Sequence, residues 1–218
     1  MNDRARVPFA LVGVLLLLTS TTIATTTVLQ PSEDAPAIED AMDGAAAAAV
    51  TELRGAADSA ATDAAIAPVT DPADTVAGRA LNGSQPFRDA LRLRIYLRAA
   101  ERLGSVETTR GPVTASASLP PVEATTEGYR RAIERVAIGR TGEDDAAMAV
   151  RIENVTLAAT RDGRTVSTDE RSPRFVVSTP ALLLHDRTER FETRANAPVT
   201  RPGLGRRVTA RLYPIAWA

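Results

Sequence analysis

Two groups of residues carry side chains suited to chemistry, and neither matches a known catalytic or metal-binding pattern. His185, the single histidine of the chain, stands beside Asp186, as a general base oriented by a carboxylate would. Adjacent residues do not share a helix face, however, and one histidine without cysteine cannot supply the usual zinc ligands. The sequence therefore favours a solvated or hydrogen-bonded helical histidine over a catalytic one.

The acidic run of Glu143, Asp144 and Asp145 is the second group, and its chemistry would be calcium binding. The run lacks the alternating ligand positions of an EF-hand, so a solvated turn is the preferred interpretation. The sequence also contains no nucleophile elbow, phosphate loop or dinucleotide fingerprint. We therefore expect no enzymatic activity, no catalytic residue, no cofactor and no bound metal.

The composition excludes further classes of binding partner and of chemistry. The 218 residues include 26 basic and 27 acidic side chains, and every basic one is arginine. A charge this close to balance predicts no attraction to nucleic acid or another polyanion, and the few aromatic residues are too dispersed to stack on bases. Cysteine is absent, which excludes disulfides, thiol nucleophiles and cysteine-ligated metals.

A band of arginines is the first candidate binding surface. Leu93, Tyr96, Leu97, Ala100 and Leu103 predict the apolar face of a helix over 87–103. The opposite face carries five arginines: Arg88, Arg92, Arg94, Arg98 and Arg102. This band would dock on anionic lipid headgroups or an acidic protein partner. The alternative is a solvated face whose arginine stems cover apolar surface.

Two sequons, at Asn82 and Asn154, are candidate N-glycosylation sites. They fit an extracytoplasmic location, although a chain this rich in serine and threonine would contain one or two by chance. They therefore add only weak support to the topology that the N-terminus indicates.

The N-terminus predicts a membrane anchor. Arg4 and Arg6 precede an uncharged stretch over 7–29, and a helix needs about 20 such residues to cross the hydrocarbon core. Because positive charge concentrates on the cytoplasmic flank, we expect a cytoplasmic tip over 1–6 and a chain that is extracytoplasmic from about residue 30.

Two alternatives to a retained anchor stay open. The purely apolar part, 7–18, has the length of a signal-peptide core, with Ala24 ending the best cleavage site. A type IV pilin-like leader is the other alternative, but the acidic residue expected a few positions into its helix is missing. We expect the anchor to be retained.

The rest of the chain predicts an α+β protein in two parts. Residues 30–83 form an alanine-rich helical stalk, either a spacer that lifts the domain off the membrane or a helix packed on that domain. Residues 84–218 form the exterior domain. Its core would be one small antiparallel sheet, built from a strand over 113–119 and a hairpin over 148–177, and covered by helices over 87–103, 125–138 and 179–195.

Local signals support several of these elements. Asp162 and Gly163 predict a type I′ turn at the tip of the hairpin, and Pro173 a bulge or the restart of an edge strand. Ser84 is expected to cap the helix over 87–103. A fourth helix over 204–215 would end at Ala218 without a polar cap, so we expect the chain to be part of a longer protein.

Three stretches of this sequence, residues 7–18, 86–97 and 202–213, resemble a family of uncharacterised haloarchaeal single-span membrane or surface proteins. The resemblance implies a surface protein encoded near pilus or secretion components, and it supplies no catalytic residue. The nearly neutral charge departs from the strongly acidic exterior domains usual in halophiles.

Together these features predict a membrane-anchored extracytoplasmic protein of structural or assembly type, associated with the membrane and with protein partners of an envelope assembly such as a pilus-like or secretion system. The alternative is the ligand-sensing domain of a signalling protein with a second membrane span. Sequence alone does not fix the oligomeric state.

Overall fold

The computed structural model describes residues 35–81, 83–142 and 146–195. Several predicted features lie outside these residues: the cytoplasmic tip, the membrane helix over 7–29, Asn82, the acidic run at 143–145 and the helix over 204–215. None of the helices in the described part has the length and apolarity needed to cross a membrane.

The described chain is α+β, with four α-helices and two small antiparallel sheets. In chain order the elements are α1 (Ala35–Ile66), a 3-10 helix (Gly78–Ala80), α2 (Pro86–Leu103), β1 (Glu107–Arg110), β2 (Val113–Ser118), α3 (Thr126–Glu134), β3 (Val136–Arg140), β4 (Ala147–Ile152), β5 (Val155–Arg161), β6 (Arg164–Arg171), β7 (Arg174–Ser178) and α4 (Ala181–Ala195). One sheet has the order β1-β2-β5-β6 and the other β3-β4-β7.

A long bent hairpin joins the two sheets. Its tip is the β5–β6 pair, closed by Asp162 and Gly163 at φ 50° and 73°, as a type I′ turn requires. Its base is the β4–β7 pair, with Met148 opposite Val177. The prediction of a hairpin over 148–177 is therefore confirmed.

The prediction of a single sheet is wrong, because both arms of the hairpin bend. Asn154, at φ 61°, interrupts the first arm, since asparagine tolerates the left-handed backbone that a β-branched residue would resist. Pro173 interrupts the second arm, and its carbonyl accepts a hydrogen bond from the Ile152 amide at 3.2 Å. Strands that switch sheets at such bends form corners between two layers, and β7 restarts as an edge strand.

Helix α1 packs on the inner face of the four-stranded sheet and on α2. Its buried residues are almost all alanine, which lets the helix approach β2 and β5 closely. Gly44 contributes to this approach, because a Cβ built there would lie 2.7 Å from the Thr108 Cγ2 atom of β1. Of the two alternatives for the predicted stalk, the structure shows the helix packed on the domain. The buried residues of α1 belong to the same hydrophobic core as those that follow residue 83.

Helix α2 is more deeply buried than its predicted single apolar face implies. Phe87, Leu91 and Ile95 are buried along with Tyr96, whereas Leu97 is 42% exposed. The reason is that α2 packs on α1, on α3 and on β3 at once. Its N-cap is Gln85 rather than the predicted Ser84, with Pro86 in the first turn as expected.

The predicted helix over 125–138 is shorter in the structure. Thr125 caps α3, with its Oγ1 accepting the Gly128 amide at 3.0 Å, but the helix ends at Glu134. Val136–Arg140 is instead strand β3, paired with β4, so residues 136–138 belong to a strand and not to the helix. Pairing of this segment with β4 has outweighed its local helical pattern. Strand β1 was not predicted.

Candidate functional site

A polar cavity lies between α2 and α3. Its volume is about 470 Å³, and its walls come from three separate segments: α2, α3 and the chain around the 3-10 helix. Four charged side chains and one amide line it, over an apolar surface; the lining residues are Ala80, Leu81, Gln85, Asp89, Arg92, Arg130, Ile133 and Glu134. Only Arg92 among these belonged to a predicted site.

The α2 wall of the cavity contains an ion pair between two residues of the same helix. Asp89 is buried, and Arg92 donates from Nη1 to its Oδ1 at 3.2 Å, one turn along the helix. The Arg92 Nε is also buried and has no hydrogen-bond partner within the described residues. This wall is therefore nearly neutral and retains one unused donor.

The α3 wall differs because its two charges are not paired. Arg130 and Glu134 stand one turn apart, the spacing of a helical salt bridge, yet neither forms an ion pair in the described parts of the chain. Arg130 instead donates from Nη2 to the Arg79 carbonyl at 3.2 Å. The cavity consequently offers one cation and one anion to a bound molecule.

A second polar cluster attaches α4 to the rest of the domain. The Asp186 carboxylate accepts from Arg88 Nη2 at 2.8 Å and from Arg140 Nη1 at 3.4 Å. Asp186 is 18% exposed and Arg140 is 16% exposed, so these charges are largely screened from water. The Nε and Nη2 atoms of Arg140 are buried without a hydrogen-bond partner in the described residues, which leaves Asp186 as its principal compensation.

His185 contributes to this attachment rather than to a catalytic pair. Its ring stacks on Phe87 of α2 with centroids 4.2 Å apart and 19° between the planes. Asp186 meanwhile accepts from the two arginines. The helical spacing thus separates the two side chains, as expected. Within the described residues, no group of histidine and acidic side chains has the geometry of a metal site.

The remaining arginines of the band hold α2 against α1. Arg94 donates to the Ala67 carbonyl at 2.9 Å, Arg98 pairs with Asp63, and Arg102 donates to Ser59 Oγ at 3.1 Å. These arginines are four residues apart on α2, and their partners are four residues apart in the reverse direction along the chain of α1. The two helices are therefore antiparallel. The five arginines therefore lie between elements rather than on one open surface, and lipid or partner binding by the band stays a prediction.

An apolar cavity of about 250 Å³ lies between α1 and the bend of the hairpin. Ala46, Ala49 and Val50 line it on one side, with Val155 and Leu157 opposite. Arg171 stands at its rim, where the hydrogen bond that it donates to Asp169 raises the pKa of the guanidinium. Asp169 and Asp43 both pair with this arginine, so its charge is already compensated.

Asn154 lies at the bend between β4 and β5 and is half-buried. A glycan there would project from the corner between the two sheets. Its glycosylation stays a prediction.

Three residues of the two polar clusters were missed by sequence reasoning. Arg130, Glu134 and Arg140 carry no motif, and only their arrangement in three dimensions separates them from other charged residues. Asp89 carries no motif either. The one local signal in the sequence is the spacing of Asp89 and Arg92, which are three residues apart on a predicted helix and so can form an ion pair.

A family of unknown function (DUF7286) matches residues 1–218, and the chain belongs to this family. The chain matches no curated protein and no solved structure.

Proposed function

We propose that this chain is a membrane-anchored extracytoplasmic protein that acts by binding other proteins of the cell envelope, and not by catalysis. The observation that carries the proposal is the apolar side of α4, which the rest of the described chain leaves exposed. Only Ala181, Leu182 and Leu183, in its first turn, are buried. Further along, Leu184 and Phe191 are 52% and 60% exposed.

Leu184 and Phe191 stand two turns apart and so share one face of α4. Amphipathic helices that lay such a face into an apolar groove are a common mode of protein recognition. Exposed aromatic side chains are also frequent energetic centres of interfaces. The helix therefore has the side chains of a docking element, and its attachment through Asp186 would fix the direction in which it projects.

The membrane and envelope parts of the proposal have their support in the sequence. The apolar stretch over 7–29 behind Arg4 and Arg6 favours a retained anchor with the domain outside. The resemblance to haloarchaeal surface proteins encoded near pilus or secretion components favours a role in that kind of assembly.

The topology is tested by protease treatment of intact cells. We expect the protease to remove the described domain and leave a small membrane-bound fragment, because only the N-terminal tip is cytoplasmic. The measurement is immunoblotting with antibodies against the tip and against the domain, with a cytoplasmic protein as the control. Full protection of the domain would contradict the proposed orientation.

The docking role of α4 is tested by replacing Phe191 with serine in the full chain. We expect the chain extracted from native membranes in mild detergent to lose its high-mass complex, because truncating an interface hot spot weakens binding by roughly 30-fold or more. The melting temperature should change by less than about 2 °C, since an exposed side chain contributes little to folding.

Glu192→Ser is the matched control, an exposed neighbour on the same helix that lies off this face. Native electrophoresis compares the two variants with the natural chain. A complex that survives Phe191→Ser and the further change Leu184→Ser would rule out α4 as the docking element.

A ligand-sensing domain is the second candidate function. The observation in its favour is the polar cavity between α2 and α3, whose wall carries one positive and one negative side chain with no ionic partner among the described residues. Pockets that combine an apolar surface with a few convergent polar groups are the usual form of small-molecule sites.

A further inference from the structure

We propose that the polar cavity binds a small zwitterion of the amino-acid class, with its carboxylate at Arg130 and its ammonium group at Glu134. This inference rests on the second candidate function and names the chemistry of its ligand. It is independent of the docking role proposed for α4.

The charges in the cavity wall determine the class of ligand. Asp89 and Arg92 neutralise each other through their 3.2 Å contact, so neither requires a counter-ion from outside. Arg130 and Glu134 are different, since within the described residues each lacks an ionic partner. A simple anion would satisfy Arg130 and leave Glu134 facing it, and a simple cation would do the reverse. A molecule with both charges pairs both side chains.

The exposed Arg130 side chain has one hydrogen bond to the segment that faces it. Its Nη2 donates to the Arg79 carbonyl at 3.2 Å, which ties the guanidinium to the 3-10 helix on the far side of the cavity. A guanidinium held in this way keeps further N–H groups for a carboxylate, the partner whose planar geometry it matches best. Holding the arginine in place also reduces the ordering entropy that binding would otherwise cost.

The rest of the lining suits a small organic molecule rather than a bare ion. Ala80, Leu81 and Ile133 provide apolar surface for an aliphatic portion, and the Gln85 amide can both donate and accept. A volume of about 470 Å³ accommodates an amino acid together with bridging waters.

The test is isothermal titration calorimetry on the full chain in detergent. The probes are the L-amino acids and glycine betaine tested singly, with acetate, methylammonium and inorganic phosphate as probes of a single charge sign. We expect at least one zwitterion to bind with a Kd between about 1 μM and 1 mM, and acetate and methylammonium to bind at least tenfold more weakly.

Three variants then locate the site. Arg130→Gln and Glu134→Gln should each raise the Kd of the best zwitterion at least tenfold. Arg131→Gln is the matched control, because Arg131 is the next residue of α3 and pairs with Glu127 outside the cavity. That control should bind like the natural chain, and circular dichroism should show all three variants folded.

Two results would overturn the inference in distinguishable ways. Phosphate binding that depends on Arg130 but not on Glu134 would mean an anion site, so the zwitterion assignment would fail while ligand sensing survived. Absence of binding by every probe, or zwitterion binding unchanged by both cavity variants, would remove both the assignment and the support that this cavity lends to a sensing role.

Discussion

Replacing Tyr96 with alanine is expected to destabilise the domain by about 4 kcal/mol, as for other large aromatic residues truncated in a core. Tyr96 is fully buried in α2, the helix that packs on α1, α3 and β3. Its hydroxyl donates to the Pro120 carbonyl at 2.8 Å and accepts from Arg135 Nη1 at 3.1 Å. The substitution therefore removes a large side chain and a link between three segments at once.

Chemical denaturation followed by circular dichroism measures this loss, and the melting temperature should fall by about 10 °C. Tyr96→Phe separates the two contributions, since it keeps the ring and removes the hydroxyl. We expect a loss of about 1–2 kcal/mol from it, because the Pro120 carbonyl and the Arg135 guanidinium each lose a partner.

Tyr129→Ala is the matched control, a tyrosine that is only partly buried at the edge of the same core. Its loss should be smaller than that of Tyr96→Ala. Equal losses from the two alanine variants would show that α2 is not the centre of the core, and the described packing would then be wrong.

The tip of the hairpin was predictable because its signal is local. Asp162 and Gly163 are two neighbouring residues suited to positive φ, and alternating apolar residues flank them. The division of the hairpin between two sheets was not predictable, because it depends on which strands pair with each end. Asn154 and Pro173 mark the bends, but the same residues are also compatible with a bulge in one continuous sheet.

The arginine band shows the same limit in the candidate sites. Helical spacing correctly grouped Arg94, Arg98 and Arg102 on one side of α2, but it says nothing of what that side faces. Their partners stand 27 to 43 residues away on or just after α1. Arg88 reaches Asp186 across 98 residues. Periodicity detects a face, whereas the identity of its partner depends on tertiary contacts.

Replacing Asp186 with alanine is expected to release α4 from the domain. The change leaves Arg140 and Arg88, both half-buried, without their shared carboxylate. Removing one partner of a buried ion pair costs about 3–5 kcal/mol, and we expect about 2 kcal/mol here because the cluster keeps some contact with water. Among the described residues, α4 is also held by its apolar first turn and by the His185 stack.

Because so little of α4 is buried, the loss should be local rather than global. Amide hydrogen exchange in α4 should accelerate roughly 30-fold, the factor that corresponds to about 2 kcal/mol. Exchange in β4 and β5 should stay near that of the natural chain. Glu189→Ala is the control, because Glu189 is an exposed acid on the same helix.

A double variant separates loss of the carboxylate from burial of an unpaired charge. Adding Arg140→Met to Asp186→Ala removes the stranded guanidinium, and replacing both members of a buried pair is often nearly neutral. We therefore expect the double variant to recover most of the protection of α4. If Asp186→Ala left exchange unchanged, the ion cluster would not be what holds α4. If the single variant released α4 and the double variant restored it, the direction of Leu184 and Phe191 would depend on charge compensation at Arg140, which links the docking face to the core.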